Sequence, residues 1–399
     1  MRRLFLVSIA SLLALGARSA SAETGAPAAP APTHGATATP AAPNDETMPA
    51  DDTRAEECDS EQPRRSVALS AAGTALAIVP GALVHGTGHL VVGDTKTGLR
   101  LLALEGAGLG VLATGFIPIV LSGASRRLIG PAAALSAAGV GLFAISFLAD
   151  IYGVVAPASG VGAPMLNAPS LVAAIGYRYV YDPVFAYRNF MVQEIDYRTG
   201  SWRIHPSAWF AFDDTNARLR AHFAYRLTGP RPLGHPESPD GSFVDLEAAI
   251  TRHAFTSNRF STTTAEVAVA GRLDMARIGP SLRGSFAEMS AGLATQAYSY
   301  AIRGTTADLG ELLLVRFGFG MYIGFPGNPR GEISLYYDHR HDDYAAGLKL
   351  TGLGSGVAGH FGADARLYLT RQWGVAAEAA VGSAYITGLS ILFRHGGPL

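Results

Sequence analysis

The chain has 399 residues, 47 of them glycine, and only 16% are charged. That length allows two domains, and so lean a charge content is unusual for an ordinary soluble enzyme. A formal net charge of -1 with no basic block argues against nucleic acid as a partner, and a lone cysteine, Cys58, excludes an internal disulfide.

In chain order, residues 1–22 predict a cleaved secretory signal. Arg2 and Arg3 form the positive start, Leu4 to Leu15 the apolar stretch, and Ala20-Ser21-Ala22 a small-residue cleavage site before Glu23. The apolar stretch is short for a permanent anchor. Residues 23–63 are Ala, Pro and Thr, then acidic residues, with almost nothing to bury. Such a segment cannot offset its ordering entropy, which predicts a disordered tether. Cys58 follows Ala55-Glu56-Glu57, which lacks the small apolar residues of a lipid-attachment site.

Residues 64–157 form an apolar, Gly- and Ala-rich region that predicts about three helices. The first covers Ser66 to Val92 and is broken at Pro80-Gly81. The second runs from Gly106 to Ser125, after Glu105, and is interrupted by Pro118. The third extends from Leu128 to Ala149 and ends at Asp150. Each is near the length that crosses a bilayer, and the small residues favour close helix packing over strong insertion. His85 and His89, four apart, carry the spacing of a metal-ligand pair, with Asp94 or Glu105 able to complete a site. Gly86 and Gly88 between them oppose a regular helix, which favours a packing or hydrogen-bonding role. Glu105 reads as a helix-start cap or a partner of Arg100. The pattern Pro80-Gly81, Gly88-His89, Gly93 and Gly98 resembles small membrane-hairpin domains with a Pro-Gly, a Gly followed by Gln or His, and spaced glycines. The resemblance covers residues 80–98 and implies that the glycines shape a helix entry and a turn, although His85 is extra to it.

From residue 158 to 399 short segments alternate apolar and polar residues, the signature of strands with one oily and one polar face. Ala217 to Leu227 sets Leu219, Phe223 and Tyr225 against Arg218, Arg220 and Arg226, and Glu311 to Phe325 sets Phe317 and Phe319 against Arg316 and glycines. Val357 to Leu369 repeats the scheme. The segments run longer than usual globular strands and carry aromatics at their ends (Trp202, Phe212, Tyr225, Trp373, Tyr385), which favours a membrane barrel over a sandwich. The last segment holds Thr387, Gly388, Ile391 and Phe393, spaced as polar, Gly, apolar and aromatic. This resembles the closing signal of bacterial outer-membrane β-barrels, although Arg394 to Leu399 follow it. The resemblance implies outer-membrane lipid and the outer-membrane assembly machinery as partners.

The expected fold is therefore a mixed α and β membrane protein: a C-terminal antiparallel transmembrane barrel of about 12 strands (range about 10 to 14) after a small apolar helical region. The pore-lining candidates are Arg218, Arg220, Arg226, Asp245, Glu247, Arg316, Asp364 and Arg366, joined on the inward face by Glu266, Arg272, Glu332, Asp338, Arg340 and Glu378. Charges of both signs predict salt-bridge networks first, and a pore whose Arg row guides anions second. The cluster Asp338 to Asp343 could hold a divalent cation at a rim. No phosphate loop, nucleophile elbow or paired zinc motif is present, so a structural or passive solute-passage role without cofactor leads. The alternatives are an enzyme or metal-binding protein using His85 and His89, and residence in the inner membrane.

Overall fold

The computed structural model describes residues 67–396, apart from 124, 126–127, 158, 183–187, 233–239, 256–259, 300–308, 326–327, 341–347 and 351–353. The predicted signal, the tether and Cys58 lie outside the described residues, as do His341, Asp342 and Asp343 of the polar cluster.

Twelve strands close an antiparallel barrel. They are β1 (Leu171–Tyr181), β2 (Asn189–Thr199), β3 (Trp202–Ala211), β4 (Ala217–Thr228), β5 (Phe243–Ala254), β6 (Ser261–Asp274), β7 (Ser285–Ser299), β8 (Leu309–Phe325) and β9 (Asn328–Asp338), then β12 (His360–Tyr368), β13 (Trp373–Val381) and β14 (Tyr385–His395). Each pairs with its chain neighbour, and the ring shuts where β1 meets β14, from Leu171 opposite His395 to Tyr181 opposite Tyr385. Closure leaves no unpaired edge, the condition for strands to sit in lipid.

Between β9 and β12, β10 (Leu348–Leu350) and β11 (Gly354–Ala358) pair as a two-stranded sheet separate from the barrel's ladder. The alternating run read from Val357 is therefore cut, and its barrel strand starts at His360. The proximal mouth is taken as the one where β1 begins and β14 ends. By strand direction the connection from β4 to β5 leaves and re-enters the wall there, at 229–232 and 240–242, although long loops are expected at the opposite end.

The outward face is apolar. Leu219, Leu246, Ile250, Val267, Leu293, Leu335 and Ile391 are exposed. Aromatic pairs collect near the rims: Trp202 with Tyr225 and Trp373 with Phe393 proximally, Tyr181 with Tyr385 distally. This is the belt an interface selects.

Ahead of the barrel come α1 (Val67–Ile78), a 3₁₀ turn at Pro80–Ala82, α2 (Thr87–Val91), α3 (Thr95–Leu121) and α4 (Ile129–Val155). Helices α3 and α4 are 27 residues each, long and apolar enough to cross a membrane. Three boundaries differ from the sequence expectation. Helix α3 begins at Thr95, capped by the Asp94 side chain accepting from the Thr97 N–H, so Glu105 is mid-helix. Pro118 does not interrupt α3; it lies in the last turn, and the helix runs three residues past it to Leu121. Helix α4 continues past Asp150 to Val155 because that carboxylate is fully buried and bonded.

Helix α4 packs on the outward face of β7 and β8. Ile145, Ala149 and Tyr152 share a core with Phe317, Phe319 and Ala287 of the wall and with Met275 and Leu282 of the β6–β7 connection. Phe317 and Phe319, which the alternation assigns to the lipid side, are consequently only 7% exposed. Gly141 makes the approach possible, since a Cβ there would run into the Phe317 ring.

Candidate functional site: the charged lumen

Inward-facing residues alternate with the belt, and cross-strand partners share a face, so the lumen is furnished by whole ladders of charge. Among the described residues its two larger chambers are a distal one of about 340 Å³ and a proximal one of about 350 Å³, with a smaller cavity of about 150 Å³ beside Arg220 and Glu266. Both larger chambers are lined by Val172, Asp196, Arg316, Asp364 and Arg366, which form the waist between them. Arg316 donates to Asp364 at 3.1 Å and lies over the Tyr336 ring. Arg366 stands among Glu332, Glu194 and Asp364.

Four triads dominate the walls. Proximally, Asp196 accepts from both Arg198 and Arg203, at 2.9–3.3 Å. Across the ring, Arg272 donates to Glu288 and Glu332, at 2.6–3.2 Å. Distally, Glu266 accepts from Arg220 and Arg340, at 2.5–2.9 Å, and Arg178 bridges Glu194 and Glu378. Arg226 forms a two-pronged pair with Asp245 at 2.8 Å, and His222 faces Glu247 at 3.4 Å. Arg218 stacks over Trp209, which lies with Phe190, Val192 and Val180 in an apolar patch on the inner wall. Within the row Arg218, Arg220 and Arg226, the last two are thus neutralised by carboxylates. Asp338 accepts from the Arg340 N–H, and His339 bonds Tyr337.

The pore-lining candidates Arg220, Arg316, Asp364 and Arg366 do come together around the distal chamber and waist, whereas Asp245 and Arg226 belong to the proximal end. Sequence reading passed over Arg178, Glu194, Asp196, Arg198, Arg203 and Glu288. The signal was present in β2, where Glu194, Asp196 and Arg198 recur at every second position, but the apolar side of that strand is broken by Gln193 and alternates poorly.

The proximal mouth is crossed by the segment 159–170 that joins α4 to β1. The Ala168 N–H donates to the Arg231 carbonyl at 3.3 Å, and Arg394 reaches the Met165 sulfur at 3.2 Å. At the same mouth Arg277 donates to Asp240, at 2.5 and 3.2 Å. Burial pushes the Asp240 carboxyl up, but hydrogen bonds from Arg277 and Ser242 outweigh it and hold it below the usual range.

His85 and His89 sit instead in the helical region, fully buried. His89 Nδ1 lies 2.6 Å from Asp150 Oδ1 and His85 Nδ1 lies 2.6 Å from Ser146 Oγ. The His85 N–H donates to Glu105 Oε2, so Glu105 neither caps a helix nor pairs with Arg100, which reaches the Ile278 carbonyl. Asp94 is used as the α3 cap. Among the described residues no three His, Cys, Asp or Glu side chains converge as metal ligands would. In β14, Gly388 packs against Arg178 and Glu378 while Ile391 faces outward.

The chain matches no protein-family model and no curated protein. Solved structures it is similar to include the Acinetobacter baumannii outer membrane protein Omp33, at 10% identity and TM-score 0.28 over 58% of this chain and 99% of that one. It is also similar to the translocator domain of autotransporter NalP from Neisseria meningitidis, at 10% identity and TM-score 0.31 over 57% of this chain and 89% of that one. A third is the beta domain of the Bordetella autotransporter Brka, at 15% identity and TM-score 0.30 over 57% and 99%. The barrel assignment rests on the chain's own strand pairing.

Proposed function

We propose that this chain is an outer-membrane barrel that passes small polar solutes passively and performs no chemistry on them. The observation carrying this is the pair of charged chambers meeting at a common waist inside a closed wall whose exterior is apolar. A lumen kept polar by paired charges holds water, and each pair spares its partners the cost of an isolated buried charge. The apolar exterior supports lipid on every side, and a closed barrel of exported strands supports the outer membrane over the inner one. Because α4 packs directly on the outward face of β7 and β8, we infer that α3 and α4 share the barrel's bilayer.

The contact between His85 and Ser146 supports packing and hydrogen bonding, since both side chains are fully buried and leave a substrate no approach. Planar-bilayer recording of the full-length protein tests the passage reading. Discrete conductance steps are expected, with a larger unit step in Arg366→Ala because the waist loses one of its two arginine side chains. Silence from protein that still shows heat-modifiable gel migration, the mark of an intact barrel, overturns it.

A further inference from the structure

Two triads of the proximal chamber face each other with opposite net charge. Arg198, Asp196 and Arg203 sum to +1 (two guanidiniums, one carboxylate) on β2 and β3. Glu288, Arg272 and Glu332 sum to -1 on β7, β6 and β9. In the ring order these strands stand on opposite sides of the lumen, and both groups line the same chamber. The pair of triads adds to zero, so a simple ion of either sign gains little from the two together. A solute bearing both signs gains from both walls.

Unused hydrogen-bonding capacity points the same way. Arg198 and Arg203 each spend Nε and Nη2 on Asp196, which leaves both Nη1 groups without a hydrogen-bond partner among the described residues. Arg272 uses only Oε1 of Glu288, leaving Oε2 open on the same terms. Arg198, Arg203, Glu288 and Glu332 are 21–27% exposed, so they are within reach of a solute in the chamber. Two guanidinium donors suit a carboxylate, and a carboxylate oxygen suits an ammonium. The distal chamber repeats the device with the direction reversed. Its -1 triad lies on β1, β2 and β13, and its +1 triad joins β4 and β6 to Arg340 beyond β9.

We propose that the proximal chamber is a binding site for small zwitterions of the amino-acid type, with the carboxylate on Arg198 and Arg203 and the ammonium on Glu288 and Glu332. This rests on the passage reading above and names its solute class. The reversed distal dipole favours solutes small enough to turn over at the waist.

The test is uptake into proteoliposomes of the full-length protein, using four probes of similar size: alanine, lactamide, lactate and isopropylammonium. Alanine is expected to enter about threefold faster than neutral lactamide, the scale of one partly exposed ion pair. The double variant Arg203→Gln, Glu332→Gln neutralises both proximal triads while leaving the total charge unchanged. It should abolish the alanine advantage, so that alanine and lactamide enter at equal rates through the variant. Arg198→Gln with Glu288→Gln neutralises the same two triads and serves where the first pair fails to give a heat-modifiable barrel. Lactamide entering as fast as alanine through the native protein overturns the zwitterion site and leaves the pore standing. No probe entering above protein-free vesicles overturns the pore as well.

Discussion

Asp150 tests whether the helical region is held by its buried polar network. Its carboxylate accepts from the N–H groups of Gly86 at 2.9 Å and of Gly88 and His89 at 3.3 Å, and it pairs with the His89 ring at 2.6 Å. Replacing it with alanine strands three N–H groups and an imidazole in a site with no solvent access. Removing one partner of a buried, hydrogen-bonded charge costs about 3–5 kcal/mol, and the higher figure applies where several donors share the acceptor. The turn around Gly86 has φ of 84°, a conformation that needs glycine and depends on this acceptor to stay closed. Amide hydrogen exchange on full-length protein in lipid nanodiscs reads the local opening directly. Asp150→Ala should speed exchange at Gly86, Gly88 and His89 by roughly 100-fold or more, given the lower cost. Asp150→Asn, which keeps one acceptor oxygen, should lie between. Unchanged exchange at these amides in Asp150→Ala refutes the claim that the carboxylate organises the elbow, whatever happens to the barrel.

Gly139→Leu should separate α3 from α4, because a side chain there meets the Leu112 and Gly108 backbones; a cost of about 1–3 kcal/mol is expected, read as faster proteolysis of the helices with barrel gel mobility retained. Glu266→Gln removes the carboxylate between Arg220 and Arg340 and raises that triad from +1 to +2, so the reversal potential in a salt gradient should move toward chloride. Asp240, held below its ordinary range, stabilises the mouth connection fully above the unfolded carboxylate value of about 4 and loses that contribution as pH falls through the lower folded value. Exchange in the segment around Ser242 should therefore rise only under acid, and Asp240→Asn should show the acid behaviour already at neutral pH.

The barrel was legible because alternation is a local property. The twelve strands match the expected number, and the segments Ala217 to Leu227, Glu311 to Phe325 and Val357 to Leu369 contain β4 but for its last residue, much of β8 and all of β12. What alternation could not supply is which strands face each other across the lumen. Arg272 and Glu332 are 60 residues apart, and Glu266 and Arg340 74 apart. Mixed charges predict salt bridges as the first reading of the Arg row, but not that Arg220 shares Glu266 with Arg340. The same limit applies to Phe317 and Phe319: a strand's apolar face reads identically whether lipid or a helix covers it.

The helical region reconciles two demands that conflict on composition alone. A chain bound for the outer membrane is poorly served by strongly apolar helices, yet a helix beside lipid must satisfy every backbone group internally. Glycine and alanine meet the first demand by lowering hydrophobicity, and Gly108, Gly115 and Gly139 turn that dilution into close contact between α3 and α4. The broken stretch from Val79 to Gly86 is the weak point, because an interrupted helix frees N–H groups. Glu105 and Asp150 supply the missing acceptors from α3 and α4, at His85 and at Gly86, Gly88 and His89. On this reasoning the two histidines are spaced by the turn they close, and the acidic residues are buried because that backbone needs acceptors where water has no access.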